Sequence, residues 1–362
     1  MIRLVLSTAI ILSISCAEPK IGANWNTFRG NYLRTGVSDD PGPSGSPEVV
    51  WEIDIGSKSS SSPIVSDGLL FYGHSGGIIC VNVYTGDSLW NFKTREKVFS
   101  TPTYFEGDIY FGSWDRKLYR LNGKTGRLIW QFVTSTSIDG SPAVTDEDVY
   151  FGSFEGVLFD LDSQKGSVKW VYRTSNWIIS SPAFENGILY FGDRDSVFYA
   201  IDIDKREPKW TFNAGGDMGC TPAIDGDYVY FGSNNGKIYC LDKTRGQKIW
   251  EFDTRGAMFS SPAVHDGRLY CGSTDSTMYC LNSETGEKNW AFKTDGFIYS
   301  SPAVCRGRVY FGSYDGYLYA VDGRTGEQIW RYFLNSLLTS SPAVYADMLI
   351  IGSDSGRLFA FR

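Results

Sequence analysis

Two histidines and seven cysteines are the side chains in this 362-residue chain that most invite a metal-binding or nucleophilic reading. His74 and His265 lie far apart in the sequence. Two isolated imidazoles cannot alone complete a zinc site, which takes three or four N or S ligands. Both read as structural or surface residues. No nucleophile motif accompanies them. Asp115, Asp275 and Asp315 recur two residues after a Gly-Ser pair, where a short acidic side chain capping its own turn accounts for them. No catalytic residue and no metal ligand set is assigned.

Five of the seven cysteines carry a particular reading, Cys220 and Cys305 none. Cys80, Cys240 and Cys280 fill a position that Ala200 and Ala320 fill in parallel stretches, so a packed thiol is the first reading. Cys271 and Cys280 have a second one. A two-residue turn at Asp275-Ser276 would set them opposite each other, and an exported chain could oxidise the pair to a disulfide. Cys16 belongs to the N-terminus. Arg3 followed by an apolar stretch of 11 residues, Leu4 to Ile14, is an export signal, too short to span a membrane. In one reading Leu12-Ser-Ile-Ser-Cys16 is a lipobox, with Ser13 where leucine is usual, and Cys16 becomes the lipidated mature N-terminus. In the other, Ser15-Cys16-Ala17 is an ordinary cleavage site. The first makes residues 1–16 a lipoprotein signal and the chain a periplasmic or cell-surface protein, on the outer membrane, held by lipid alone.

What positions these residues is a repeat. Tryptophan returns at Trp51, Trp90, Trp130, Trp170, Trp210, Trp250, Trp290 and Trp330, in one step of 39 and six of 40. Proline (Pro63 to Pro342) and a glycine closing an apolar run (Gly73 to Gly352) keep the same steps, and each landmark is counted eight times. A fixed period near 40 marks a repeat architecture. Within residues 301–330, four short β-forming runs alternate with turns at Arg306-Gly307, Asp315-Gly316 and Asp322 to Gly326. The Asp315-Gly316 turn reads as a two-residue hairpin. Four antiparallel strands per repeat make one blade of a β-propeller. The expected fold is all-β, with eight four-stranded blades. Each Trp docks one blade on the next. The chain stops after the third strand of its last repeat, and Val49 to Ile53 has a Trp but no strands before it, so the N-terminal strand should complete the last blade. Residues 17–47 form an extension and linker, and Trp25 to Ser38 should pack on the ring. Residues 48–362 are the propeller. A net charge of −7 argues against a nucleic-acid partner.

In such a ring the loops after the fourth and second strands share one end. The residue four before each Pro is apolar in seven repeats (Val98, Ile138, Ile178, Met218, Met258, Ile298, Leu338) and reads as core. Aromatic or charged residues crowd the neighbouring positions: Phe99, Trp114, Phe154, Trp177, Arg194, Phe259, Phe297, Tyr299 and Tyr314. They form a candidate partner-binding face for a protein or glycan. Alternatively they pack on one another around a plugged channel.

The recurring Leu-Tyr-Ala-(Val/Leu)-Asp-x-x-Thr-Gly-x-x-x-Trp, followed by Ser-Ser-Pro-Ala-Val, resembles the tryptophan-docking repeat of the PQQ-like (quinoprotein-type) propellers over residues 49–362. One branch of that family holds PQQ and Ca²⁺ in quinoprotein dehydrogenases, with adjacent cysteines that this chain lacks. Another has no cofactor and includes envelope lipoproteins of outer-membrane assembly that bind a barrel-assembly protein. The resemblance to the second branch implies a monomeric, non-enzymatic, lipid-anchored scaffold with no cofactor and an envelope protein as partner. A PQQ-dependent dehydrogenase and a carbohydrate-binding surface module are the alternatives.

Overall fold

A computed structural model of the chain describes residues 24–58 and 61–362. Residues 1–16, read above as an export signal ending at Cys16, lie outside the described residues. Among those described there are strands and turns and no helix. Eight antiparallel sheets follow one another, seven built from consecutive strands: blades 1 to 7, at residues 64–93, 103–133, 143–173, 183–213, 223–253, 263–293 and 303–333. Blade 8 takes its three inner strands from residues 343–361 and its outer strand from Val49–Asp54. There Trp51 pairs with Ala360 and Ile53 with Leu358. The ring therefore closes with the N-terminal strand, as the repeat count requires.

Each outer strand carries a β-bulge just before its Trp. In blade 2, for example, the register shifts between Leu128 and Trp130, and in blade 5 Trp250 pairs with Cys240 but Lys248 with Leu241. A bulge adds a residue and re-aims the next side chain. The extra residue, such as Ile129 or Ile249, is exposed, while the indole turns toward the following blade. Its Nε1–H donates to a carbonyl there: Trp51 to Val83, Trp90 to Gly123, Trp130 to Ser163, Trp210 to Lys243, Trp250 to Ser283 and Trp290 to Gly323, at 2.8–3.0 Å. The glycine of the next blade's last turn lies on the ring. A Cβ on Gly246 would come within 2.5 Å of Trp210. Trp330 differs. The blade it faces has no third-to-fourth turn, because its outer strand comes from the other end of the chain. Its buried Nε1–H has no partner among the described residues.

The turn between second and third strands has one residue more than expected. Ser313 pairs its N–H with the Tyr317 carbonyl, and Gly312 lies opposite Leu318, leaving three residues in the loop with Gly316 at φ +84°. In blade 6 Ser273 pairs with Thr277, and Ser276 takes the left-handed conformation at φ 66°. A one-residue change of register turns every side chain to the other face. The second reading of Cys271 and Cys280, a disulfide, is thereby overturned, and the packed thiol holds: Cys271 lies opposite Tyr279 and Cys280 opposite Tyr270. The two thiols enter different inter-blade cores, and both are free.

The small slot on the third strand holds buried Cys80, Ala200, Cys240, Cys280 and Ala320. In blade 2 it holds Arg120, which pairs with Asp108 and reaches the Ser163 carbonyl of blade 3. In blade 3 it holds Asp160, which is 6% exposed and whose Oδ1 finds no partner.

Candidate functional site

The two loop sets do share one end of the ring. The residue after each Gly-Ser, or its equivalent, donates its backbone N–H to the preceding inter-blade loop. Trp114 bonds Lys97, Phe154 bonds Ser137, Arg194 bonds Trp177 and Tyr314 bonds Phe297, at 2.9–3.1 Å. The apolar residue that follows in each loop is core. Val98, Ile138, Ile178, Met218, Met258, Ile298 and Leu338 are at most 1% exposed, and they pack on the glycines that end the second strands, where a Cβ would meet them at 2.2–2.7 Å.

On this end the nine residues singled out in the sequence form two ladders. In the first, Phe99 meets Trp114 edge-on at 5.1 Å between centroids, Trp114 meets Phe154 at 6.0 Å, and Phe154 stacks on Trp177 at 4.8 Å. Arg194 lies over Trp177 at 5.3 Å and Lys97 over Trp114 at 5.4 Å. Each cation over a ring is worth about 0.5–1 kcal/mol at an exposed site. In the second, Tyr299 stacks on Phe259 at 4.9 Å and on Tyr314 at 4.6 Å, with Phe297 against both tyrosines. The aromatics thus pack on one another and still present a surface, since Trp177 is 42% and Phe297 48% exposed.

Between the ladders opens the central channel. Its mouth is a well of about 170 Å³. One hydroxyl from each blade lines it: Ser62, Thr101, Ser141, Ser181, Thr221, Ser261, Ser301 and Ser341. Each precedes the repeating Pro. Seven links run around the circle and leave it open between Thr101 and Ser141, the N–H of Ser141 donating to Ser181 Oγ (2.9 Å), Ser181 to Thr221 (3.1 Å), Thr221 to Ser261, Ser261 to Ser301 and Ser301 to Ser341 (each 2.9 Å), Ser341 to Ser62 (3.0 Å) and Ser62 to Thr101 (3.2 Å). Asp139 stands at the rim. Trp114 Nε1–H donates to its Oδ1 at 3.0 Å. Burial holds this carboxyl above the usual carboxylate range, against the opposing pull of the Trp114 hydrogen bond and the Arg194 charge.

The N-terminal extension supplies the floor. Its backbone visits the blades in turn, through Trp25 to Val65, Asn26 to Tyr104, Tyr32 to Phe184, Leu33 to Ile224, Thr35 to Val264, Gly36 to Val304 and Gly42 to Ala346. Val37–Ser38 adds a parallel strand to blade 7. These bonds cover inner edges that would otherwise expose unpaired backbone groups. Phe28 of this segment lines the well. Arg29 and Arg34 are 2% and 0% exposed. Arg29 donates to the carbonyls of Pro302 and Pro262. Arg34 donates to Pro142, Pro182, Phe28 and the Thr27 hydroxyl. Burial pulls the Arg29 guanidinium down to about 9 and that of Arg34 down to about 10, and no carboxylate is among the groups offsetting this. The sequence offered one signal for the plug, two arginines among aromatics in a segment outside the repeat. It did not single out the hydroxyl circle, although those residues keep the period of 40.

The other residues considered at first go elsewhere. His74 is buried against Ser57, and His265 lies on blade 6 beside Asp266. Among the described residues no group of three or more His, Cys, Asp or Glu could hold a metal ion. The donor set of the well, the circle of eight hydroxyls with those of Thr339 and Tyr299 and one carboxylate, does not fit a quinone with its calcium. Its volume is also below the roughly 300–1,000 Å³ typical of small-molecule sites.

A family model described as "Beta-alanine-activating enzyme, beta-propeller" matches residues 109–362. One described as "Outer membrane protein assembly factor BamB" matches residues 43–138. No curated protein sequence matches the chain. Among solved structures it is similar to BamB from Moraxella catarrhalis, with TM-score 0.76 and 19% identity over 87% of this chain and 99% of that one. It is similar to a europium-containing methanol dehydrogenase, with TM-score 0.82 and 13% identity over 94% and 98%. It also resembles the computationally designed Ika8 protein, with TM-score 0.78 and 16% identity over 87% and 99%. At these identities the likeness is one of fold.

Proposed function

Starting from the fact that the chain belongs to the propeller family described as "Beta-alanine-activating enzyme, beta-propeller" and is a PQQ-like repeat propeller similar to BamB, we propose that it is a non-enzymatic scaffold of the bacterial envelope that binds another envelope protein. The observation that carries this reading is the pair of aromatic ladders on one end of the ring, with Trp177 and Phe297 about half exposed. Interfaces concentrate their energy in such aromatic and Arg anchors. Ladders preordered by stacking lose little side-chain entropy on binding. Lys97, Arg194 and Asp217 beside the rings supply a charged rim. The chain reaches the envelope through its export signal and is held there by lipid on Cys16. A barrel-assembly component is the partner class the likeness to BamB suggests.

The test is site-specific photo-crosslinking in the native envelope. A crosslinking residue at 177 or 297 should trap one protein species, and the same residue at 124 or 206, in turns between third and fourth strands at the opposite end, should not. Equal capture from both ends would overturn the assignment of the face. Cys16→Ser should move the protein from the membrane to the soluble fraction. Retention on the membrane would overturn the anchor and leave the face unaffected.

A further inference from the structure

The well at the channel mouth has a chemistry that the partner-binding face does not use. Each of the seven hydrogen bonds around its circle is donated by a backbone N–H and accepted by a hydroxyl oxygen. A hydroxyl that accepts in this way keeps its own O–H to give. None of the eight is seen donating to a protein acceptor among the described residues, so their hydrogens are available to whatever occupies the well.

The charges beneath set the sign of that occupant. Arg29 and Arg34 donate to the carbonyls of Pro262, Pro302, Pro142 and Pro182, each one residue beyond a hydroxyl of the circle. Two guanidiniums therefore lie within a hydrogen bond of the carbonyls next to it in the chain. Their hydrogen bonds go to neutral carbonyls and one hydroxyl, so their charge is not balanced by any carboxylate bonded to them. Uncompensated buried charge is expensive, and an anion above it relieves that cost. A volume of about 170 Å³ exceeds the roughly 30 Å³ share of a single water and leaves room for a small ion with part of its hydration. Phe28 closes the floor, so the guanidiniums act through space and the hydroxyls make the direct contacts.

We propose that the hydroxyl-lined well is a binding site for a small oxyanion of the phosphate class, held by the Ser/Thr circle over the field of Arg29 and Arg34. Asp139 at the rim is the one carboxylate lining the well. It opposes such a ligand, and this gives the proposal a signed test.

Isothermal titration of the full-length chain with inorganic phosphate, at constant ionic strength, should give one site per chain. Asp139→Asn keeps the oxygen that accepts from Trp114 and removes the charge. It should tighten phosphate by on the order of three- to ten-fold. Thr101→Val/Thr221→Val keeps side-chain shape but removes two O–H groups, and should weaken binding by about ten-fold. Its fold is checked by circular dichroism and melting. Should that variant not fold, the Asp139→Asn result decides alone. Absence of phosphate binding in both wild type and Asp139→Asn would overturn the site. So would binding that Thr101→Val/Thr221→Val leaves unchanged, which would mark an adventitious ion elsewhere. Weaker binding in Asp139→Asn, or tighter binding of myo-inositol than of phosphate, would also overturn it and reassign the well to a cation or a neutral polyol.

Discussion

Trp250 and Trp330 occupy the same position of the repeat and are almost equally buried, at 8% and 6% exposed. They differ in one atom's surroundings. Trp250 Nε1–H donates to the Ser283 carbonyl at 2.9 Å. Trp330 Nε1–H has no acceptor, because the turn that would supply it does not exist in the blade completed by Val49–Asp54. Replacing either with Phe removes the same atoms and leaves a similar void, costing about 1–3 kcal/mol at both sites. At Trp250 the Ser283 carbonyl also loses its donor inside the protein, worth about 1–3 kcal/mol more. At Trp330 the change removes a buried unsatisfied N–H, whose desolvation cost disappears with it. Trp330→Phe should therefore destabilise less than Trp250→Phe, by about 2 kcal/mol. The assay is urea denaturation of both variants and wild type, compared by midpoint at a common slope. Equal losses, or a larger loss at Trp330, would refute the reasoning that the seam lacks this hydrogen bond.

Three further outcomes follow from the same packing. Gly246→Ala puts a Cβ within 2.5 Å of the Trp210 ring at φ +70°, whereas Gly267→Ala, also at φ +70°, has nothing within 4 Å; thermal melts should show a loss of about 2–4 kcal/mol for the first and about 1 kcal/mol for the second. Burial first, and the Asp148 charge second, hold the Asp160 carboxyl above its ordinary range. Because its folded value exceeds the unfolded one of about 3.9, the folded state binds the extra proton, and this group lowers stability as pH rises above that value. Asp160→Asn should accordingly be more stable than wild type at pH 8, with the difference shrinking toward pH 4; denaturation curves showing the variant weaker at pH 8 would contradict this. Finally, the six described cysteines are free thiols, so mass spectrometry of protein purified under oxidising conditions should find Cys271 and Cys280 unlinked and alkylated only after unfolding.

Much of the architecture was legible because it repeats. Trp, Pro and Gly at a common step identify a blade, since the docking indole, the start of the inner strand and the close approach of Gly112 to Ile138 or of Gly126 to Trp90 are each demanded once per blade. The aromatic face was legible for the same reason, as variable positions beside one that is apolar in seven of the eight repeats. The turn length was not. A loop whose last residue is left-handed accepts Ser276, Ser196 or Arg116 as well as Gly, so composition did not separate two residues from three. That single residue decided where Cys271 points. The packing of the segment from Trp25 to Ser38 was legible but its contacts were not, because Arg29 and Arg34 bond backbone carbonyls, and a carbonyl carries no residue type.

By itself, then, the sequence determined the number of blades, their strand order, the closure through Val49–Asp54 and the end of the ring that gathers aromatics. All of these are local patterns multiplied eight times, and local pattern is what a chain displays. Tertiary structure alone decided which groups converge on the axis. The eight hydroxyls are about 40 residues apart in the chain and neighbours only when the ring closes. The charge beneath them comes from a segment outside the repeat, threaded through the middle. Residues on an axis of near symmetry are brought together by closure, and no spacing along the chain encodes the distance across it.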